Sequence, residues 1–594
     1  MCYGTIQKYS TAVRRFVTLR WTFLNMPSKR GASTSPSLAL VVLAAVAGIP
    51  LGTGARSRTA DQAVGAAARG EIHRPQQLLR QTPVVHAAAE CSVMDHGAKG
   101  DGVTLDSAAI AAAIEACDHV VFPAGKRFLT GTVELRSNLT LEVLGTILGA
   151  KGSIAVPPRN PFMVANPFEG DPANPGCPFA TGPQHGCGGY QDYGHSYWAD
   201  AVLHGAGVRN VRVVGGGTID GNGAILEGTP PNASVQQGTK AIGLVDSSQI
   251  TIDGVTVLRG GWFSILATNC EHLTITRVTI RAARDAMDIM GCRHVYMSGL
   301  NISGGGDDAV KFGAEWSRGK RLASFNVTVA NSVVGSNGCN ALQFGTETLG
   351  DFSDFLFENI TITGAGKAGI GMVSMDGARI HDVTFRNISM SNVVHPIFIF
   401  IGARLRGPFA QNAVANDSLV GSIYNIAIVD VVIAGVGSRR HGPLDNHTST
   451  IEGQPPDAAF GLARTHRVGP NLTINGVVAT VSGGGAAKDV TKVPPHDTPI
   501  PWPRALGVRP AYGLFVRRVE GLTLLNVSVA YEVGHPEGRP AFVLSEVSGV
   551  LFQGVTAERA QPALGYDVGL RGECTNVSAR GPAALVLQNI TARA

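Results

Sequence analysis

Three aspartates sit where neighbouring turns of a repeat would stack them: Asp285 in Arg284-Asp285-Ala286-Met287-Asp288, and the pair in Gly306-Asp307-Asp308-Ala309. Asp285 and Asp307 are 22 residues apart, about one turn of the surrounding repeat. Adjacent strands lie about 4.8 Å apart. Carboxylates at that spacing repel, which lifts one pKa and leaves a proton donor beside an ionised base. An acid and a base held together are the minimum machinery for hydrolysing a glycosidic bond. Asp-Asp after glycine is also an ordinary way to close a bend; the third carboxylate one repeat away is what points to chemistry.

The elements that must hold these side chains recur from about residue 138. A polar residue leads two to four β-formers, then a break and another β run. Instances are Asn138-Leu-Thr-Leu, Asn210-Val-Arg-Val, Gln249-Ile-Thr-Ile, His272-Leu-Thr-Ile, His294-Val-Tyr-Met, Asn326-Val-Thr-Val, Asp354-Phe-Leu-Phe, Asp382-Val-Thr-Phe, Asn425-Ile-Ala-Ile, Asn471-Leu-Thr-Ile and Gly521-Leu-Thr-Leu. The steps from Ile250 to Leu273 to Val295 are 23 and 22 residues. Such a unit has no room for a crossover helix, so successive coils must pair in parallel around apolar ladders. That describes an all-β parallel β-helix. An antiparallel sandwich would show two-residue hairpin turns instead. Asp106 to Cys117 has helical apolar spacing behind a capping residue and is expected to cover the open N-terminal end. Long inserts at about 157–198, 439–467 and 492–509 are expected to form loops around the binding groove.

Composition agrees with a solenoid: 75 glycines and 16% charged residues in 594. The net charge of +5 comes without a Lys/Arg stripe interleaved with aromatics, which argues against nucleic-acid binding. The chain's beginning reads as an address. Lys29-Arg30, the apolar run Leu38 to Leu51 and Gly52-Thr53-Gly54-Ala55 form a secretory signal pattern, with an uncleaved anchor as the alternative. The run is shorter than the ~20 residues of a membrane span. We therefore divide the chain into a targeting segment 1–56, with Met1 and Met26 as alternative starts, a linker 57–90, and a catalytic domain 91–594. In an exported protein the nine cysteines suggest disulfides, Cys91 with Cys117 and Cys177 with Cys187. Cys270 and Cys292, one repeat apart, either bridge coils or stack as buried thiols. No Cys-x-x-Cys spacing suggests a zinc site. The Asn-x-Ser/Thr sequons at Asn138, Asn326, Asn359, Asn387 and Asn471 mostly fall within the strand phrase, where turn and pairing roles explain them.

Gly97-Ala-Lys followed by Asp101-Gly-Val-Thr, the phrase Gly217-Thr-Ile-Asp-Gly-Asn-Gly223 and Gly306-Asp-Asp-Ala resemble family 28 of the glycoside hydrolases. These are the pectin-degrading polygalacturonases and rhamnogalacturonases. The resemblance covers about residues 90 to 594 and implies a single-stranded right-handed parallel β-helix. It implies that Asp307 is the general acid, with Asp285 and Asp308 activating water for inversion. Ala283-Arg284-Asp285 stands where the family has Asn-Thr-Asp. The family's Gly-His-Gly aligns with Cys339-Asn340-Ala341, and its uronate-binding Arg-Ile-Lys falls near Gly371-Met372-Val373. The phrases Cys339 to Glu347 and Ser374 to Gly377 look like bacterial-type relatives.

With that clamp replaced, the candidate cations for a substrate carboxylate are Arg284, Lys311, Arg293 and Lys367, Lys311 first because it follows Asp308 by three residues. Asn340 takes the family histidine's place at the substrate. Glu347 is either a fourth active-site acid or a turn cap, and Asp376 reads as a turn residue. Trp262, Trp316 and Tyr197 offer ring faces to sugars or pack in the interior. The expectation is a secreted, monomeric, cofactor-free and metal-free hydrolase of pectin-type, uronic-acid-containing polysaccharide, without stable membrane association. The alternatives are a calcium-dependent polysaccharide lyase on the same fold and a non-catalytic carbohydrate-binding β-helix.

Overall fold

The computed structural model describes residues 90–150, 195, 198–223, 239–315, 317–318, 320–404, 417–436, 448–496, 498, 501–532, 534, 536–559, 564–581 and 585–591. The expected targeting segment, the linker up to residue 89, Cys177, Cys187, Tyr197 and Trp316 lie outside them.

From Glu90 onward the chain coils into three strands per turn. One turn runs Lys240–Val245, Ser248–Asp253 and Thr256–Leu258; the next runs Phe263–Thr268, Glu271–Thr276 and Thr279–Ala282; a third runs Asp285–Met290, Arg293–Ser298 and Asn301–Gly304. Each strand pairs in parallel with its counterpart one turn on, so Ile250 faces Leu273, Leu273 faces Val295, and Val295 faces Val327. Among the described residues, 38 strands form one continuous sheet wound as a right-handed parallel β-helix.

The polar residue leading each sequence phrase has a defined role. Asn138, Asn210, Gln249, His272, His294, Asn326, Asp354, Asp382, Asn425 and Asn471 all take φ between 53° and 62°, as Gly521 does at 64°. Asn and Asp tolerate this left-handed bend better than β-branched residues do, and the bend turns one strand into the next. Once aligned, their amides ladder from coil to coil. Asn210 donates to Asn138 at 2.9 Å, Asn425 to Asp382 at 3.1 Å, and Asn471 to Asn425 at 2.9 Å. The residues one step later point inward: Leu139, Val211, Ile250, Leu273, Val295 and Val327 are each at most 3% exposed. A fully buried aliphatic or aromatic side chain contributes about 1.5–3 kcal/mol, and stacking makes this term repeat with every coil. In the coils that follow, Phe312, Phe344, Phe355 and Phe357 pack edge to face in the interior, and Phe357 stacks on Phe385 at 4.6 Å.

The helix Ser107–Ala116 covers the N-terminal end with Ile110, Ala113 and Ile114 buried. Its N-cap differs from expectation. Asp106 makes no side-chain cap; its carboxylate accepts from the backbone N–H of Lys99 at 2.6 Å and Gly100 at 3.0 Å instead. Cys91 and Cys117 form the expected disulfide, with 6.2 Å between Cα atoms. Cys270 and Cys292 are buried thiols, and Cys292 Sγ accepts from the Cys270 N–H at 3.3 Å. Cys339 is also disulfide-bonded.

The later irregular stretches fold back on the sheet. Antiparallel bridges link Gln454 to His466 and Asp457 to Leu462. The short helix Pro503–Leu506 inserts Leu506 among Ala368, Val373, Met375, Phe398 and Phe400, an apolar cluster separate from the main core. Among the described residues no helix is long and apolar enough to cross a membrane.

Candidate active site

Register carries the acids to one place. Asp285 pairs with Phe263, Asp288 with Lys311, and Lys311 with Gln343 on four successive coils. Met287 and Ile289 point into the main core, so by the strand's two-residue period Asp288 points outward. Asp307 and Asp308 lie in the bend that precedes the strand Val310–Ala314. That bend stacks on the one below it through backbone bonds from Gly305 to Ala282, Gly306 to Ala283 and Asp307 to Arg284. Gly305 has φ +74°, and a Cβ there would lie 2.6 Å from the Arg284 carbonyl oxygen. Only glycine lets the two bends approach so closely.

The three carboxylates form one cluster. The Asp308 N–H donates to Asp285 Oδ1 at 3.2 Å. Arg284 reaches two of them, with Nε 3.6 Å from Asp285 Oδ2 and Nη2 3.4 Å from Asp307 Oδ2. Asn340 directs both its backbone N–H (2.9 Å) and its side-chain Nδ2 (2.8 Å) onto Asp308 Oδ1. Asp285 is 1% exposed, while Asp307 and Asp308 are each 7% exposed. Burial, then the neighbouring charges of Asp307 and Asp288, push Asp285 well above the ordinary carboxylate range. Burial and Asp307 push Asp308 up to about 6, against the opposing pull of Lys367 and Lys311. A cluster so arranged retains a proton near neutrality while keeping ionised oxygens beside it.

Beside it lies a second ionic group that the sequence reading did not assemble. Lys311 Nζ is 3.0 Å from both Asp288 Oδ2 and Glu347 Oε2. His195, from the insert before the matching strands, places Nε2 2.8 Å from Asp288 and Nδ1 3.0 Å from Glu315, and stacks on Phe263 at 4.5 Å. Burial pulls the His195 pKa down, but Glu315 and Asp288 outweigh it and leave it pushed up to about 10. Arg404 extends the group by pairing with Asp376 at 2.9 Å and approaching Glu347 at 3.7 Å.

This geometry corrects several expectations. Lys311 is a buried counter-ion rather than an open substrate clamp. Glu347 is held ionised, because Lys311 and Arg404 overcome the burial that would raise its pKa; it is a partner of Lys311, neither a turn cap nor a proton donor. Asn340 has committed its amide, with Oδ1 accepting from the Ala368 N–H at 3.1 Å. Trp262 is 5% exposed, with the Arg284 guanidinium 5.2 Å from its ring centroid, so it supports Arg284 and presents no open face to a sugar. Arg293 pairs with Glu271 at 3.3 Å on the neighbouring strand face. Asp376 sits in a bend, as expected, and is in addition a buried ion-pair partner of Arg404. The spacing of Asp288 and Lys311, 23 residues apart like neighbouring coil positions, could have revealed that pair. Nothing periodic announces His195, which arrives from an insert.

Asp307, Asp308 and Cys339 place ligand-type atoms within 4.8 Å of one another. The Cys339 sulfur is bound in a disulfide and offers no thiolate, so two carboxylates remain, a poor donor set for a hard cation that takes six to eight oxygens.

Residues 188–407 match the sequence model of the family described as Glycosyl hydrolases family 28. The matched stretch is less than half of the chain. It contains His195, the three acids, Lys311, Asn340, Glu347 and Arg404, so the family match and the site coincide. The chain is 24% identical over 365 residues to an exo-poly-alpha-D-galacturonosidase of Dickeya chrysanthemi, covering 51% of this chain and 55% of that protein. It is 25% identical over 338 residues to an endo-polygalacturonase of Pectobacterium carotovorum subsp. carotovorum, covering 53% of this chain and 75% of that one. A solved Yersinia enterocolitica family 28 exopolygalacturonase superposes with a TM-score of 0.47 at 15% identity, covering 82% of this chain and 78% of the other. Trp502 and Arg504 lie beyond the family 28 segment.

Proposed function

We propose that the protein is a secreted glycoside hydrolase that cleaves pectin-type, uronic-acid-containing polysaccharide with inversion. The observation that carries this reading is the carboxylate cluster: Arg284 lies within ion-pair distance of both Asp285 and Asp307, while the Asp308 N–H donates to Asp285. Hydrolysis by inversion needs one carboxylic acid to protonate the leaving oxygen and a carboxylate to deprotonate water on the opposite face. In our reading Asp307 is the acid, and Asp285 and Asp308 share the base role. Burial keeps the cluster's charges strong and water access limited. The relatives act, by their names, on galacturonan, and their family supports a glycosidase.

The test is Asp307→Asn, assayed on polygalacturonate with product anomers read by proton resonance. Turnover should vanish while the melting transition is kept, and the wild-type product should appear first as the inverted anomer. A retained anomer, or an unchanged rate in Asp307→Asn, would remove the reading. An unsaturated product absorbing in the ultraviolet and lost with a chelator would show a lyase instead. The residue roles have their own assay. An aryl glycoside with a good leaving group should recover turnover in Asp307→Asn but not in Asp308→Asn, because only the first has lost a proton donor. For export, the mature N-terminus read by mass spectrometry should lie after residue 51 and before Glu90.

A further inference from the structure

One cation beside the acids is used by nothing described so far. Lys367 is 7% exposed, and among the described residues its ammonium makes no hydrogen bond or ion pair. Its backbone N–H is tied to the Cys339 carbonyl at 2.9 Å, which fixes it two coils beyond the acid pair, with Asn340 on the coil between. Its Nζ lies 5.3 Å from the ring centroid of Trp502. Burial and the nearby Arg504 pull the Lys367 pKa down, while Asp308 and Asp307 hold it up, so these charges are close without touching. The Lys367 Nζ keeps contact with solvent, whereas Arg284 and Lys311 are already paired with the site's own carboxylates. Trp502 is half-buried and Arg504 exposed. Both sit at the start of the short helix that Leu506 anchors against Ala368, the neighbour of Lys367.

We propose that Lys367, Trp502 and Arg504 form a subsite for a carboxylate-bearing sugar ring beside the acid pair. Lys367 takes the carboxylate, the Trp502 indole takes the apolar face of the ring, and Arg504 at the rim draws the polyanion in. The proposal rests on the hydrolase reading above and deepens it: preference for an acidic sugar is set by a fold-back segment outside the family 28 stretch. It accounts for a charge-binding function at a site where Gly371, Met372 and Val373 supply no charge.

The experiment measures binding, so that it stands apart from turnover. In an Asp307→Asn background, calorimetry compares trigalacturonate with its methyl-esterified trimer at low and high salt. The free acid should bind at least ~10-fold tighter than the ester, and Lys367→Met should remove that preference by about 10–100-fold, the scale of a hydrogen bond to a charged group. Lys367→Arg should restore part of it, and Arg504→Gln should flatten the salt dependence. If Lys367→Met weakens acid and ester equally, the lysine is only a counter-charge to the acids and the proposal falls. It also falls if the parent shows no preference or binds neither trimer. If the preference behaves as expected while the wild type leaves polygalacturonate uncut, the hydrolase reading fails and the subsite stands.

Discussion

Asn340 offers a way to move a catalytic pKa without touching a catalytic carboxylate. Its Nδ2 donates to Asp308 Oδ1 at 2.8 Å, and its backbone N–H donates to the same oxygen. Asn340→Ala deletes only the first of these. A hydrogen bond to a charged group contributes about 1.5–3 kcal/mol, and one pKa unit corresponds to about 1.4 kcal/mol. The conservative end of that range raises Asp308 by about one unit, starting from about 6. If Asp308 must be ionised to activate water, the acidic limb of kcat/KM moves from near 6 to about 7. At pH 5 the ionised fraction falls from about 9% to about 1%, so the rate drops roughly tenfold there and little above pH 8. The assay is initial rate on polygalacturonate from pH 4 to 9. An acidic limb that stays in place while the rate falls equally at every pH would refute the link between this amide and the base. The Ala368 N–H loses its acceptor in the same variant, so a lower melting temperature is expected as well, at about 1–3 kcal/mol.

Other perturbations test the surroundings. Lys311→Met leaves Asp288 and Glu347 buried without their shared cation; breaking such a pair costs about 3–5 kcal/mol, and an unchanged thermal midpoint would contradict the ionic network. Asp308 binds its proton more tightly in the fold, at about 6, than an ordinary aspartate does at 3.8. Its contribution therefore turns against the fold as pH rises through that window. Asp308→Asn should match wild-type stability below pH 4 and exceed it above pH 6, with a gap that grows between; a gap that shrinks with pH would overturn the assignment. The Cys91–Cys117 bond closes a separation of 26 residues, worth about 3.5 kcal/mol by chain entropy. The double alanine variant should show faster amide exchange in the helix Ser107–Ala116, and unchanged protection there would argue against the disulfide's role in holding the cap.

Much of the site was legible because a β-helix is nearly one-dimensional. Once the 22- and 23-residue steps are seen, Asp285 and Asp307 must fall one coil apart, and the left-handed residue at the head of each phrase marks the phase. Asn340 was found by position, but its job was not: whether an amide faces substrate or a neighbouring carboxylate depends on side-chain aim within a coil. Lys311 misled for the same reason, since three residues past an acid says nothing about which face the strand turns outward. Trp262 read equally as platform or packing until Arg284 was seen over its ring.

What the sequence by itself determined is the coil: its period, its parallel pairing, its inward apolar ladders and the stacking of three acids, all consequences of a local pattern repeated at fixed spacing. What only the tertiary structure decided is what lies on the outer face of that coil. His195 reaches Asp288 across 93 residues, and Trp502 meets Lys367 from a segment that leaves the helix and returns. Such contacts arise where a loop closes, and loop closure obeys no period. Apolar cover such as Leu506 against Phe398 and desolvated charge hold it in place, and both become visible only when the segments are already together.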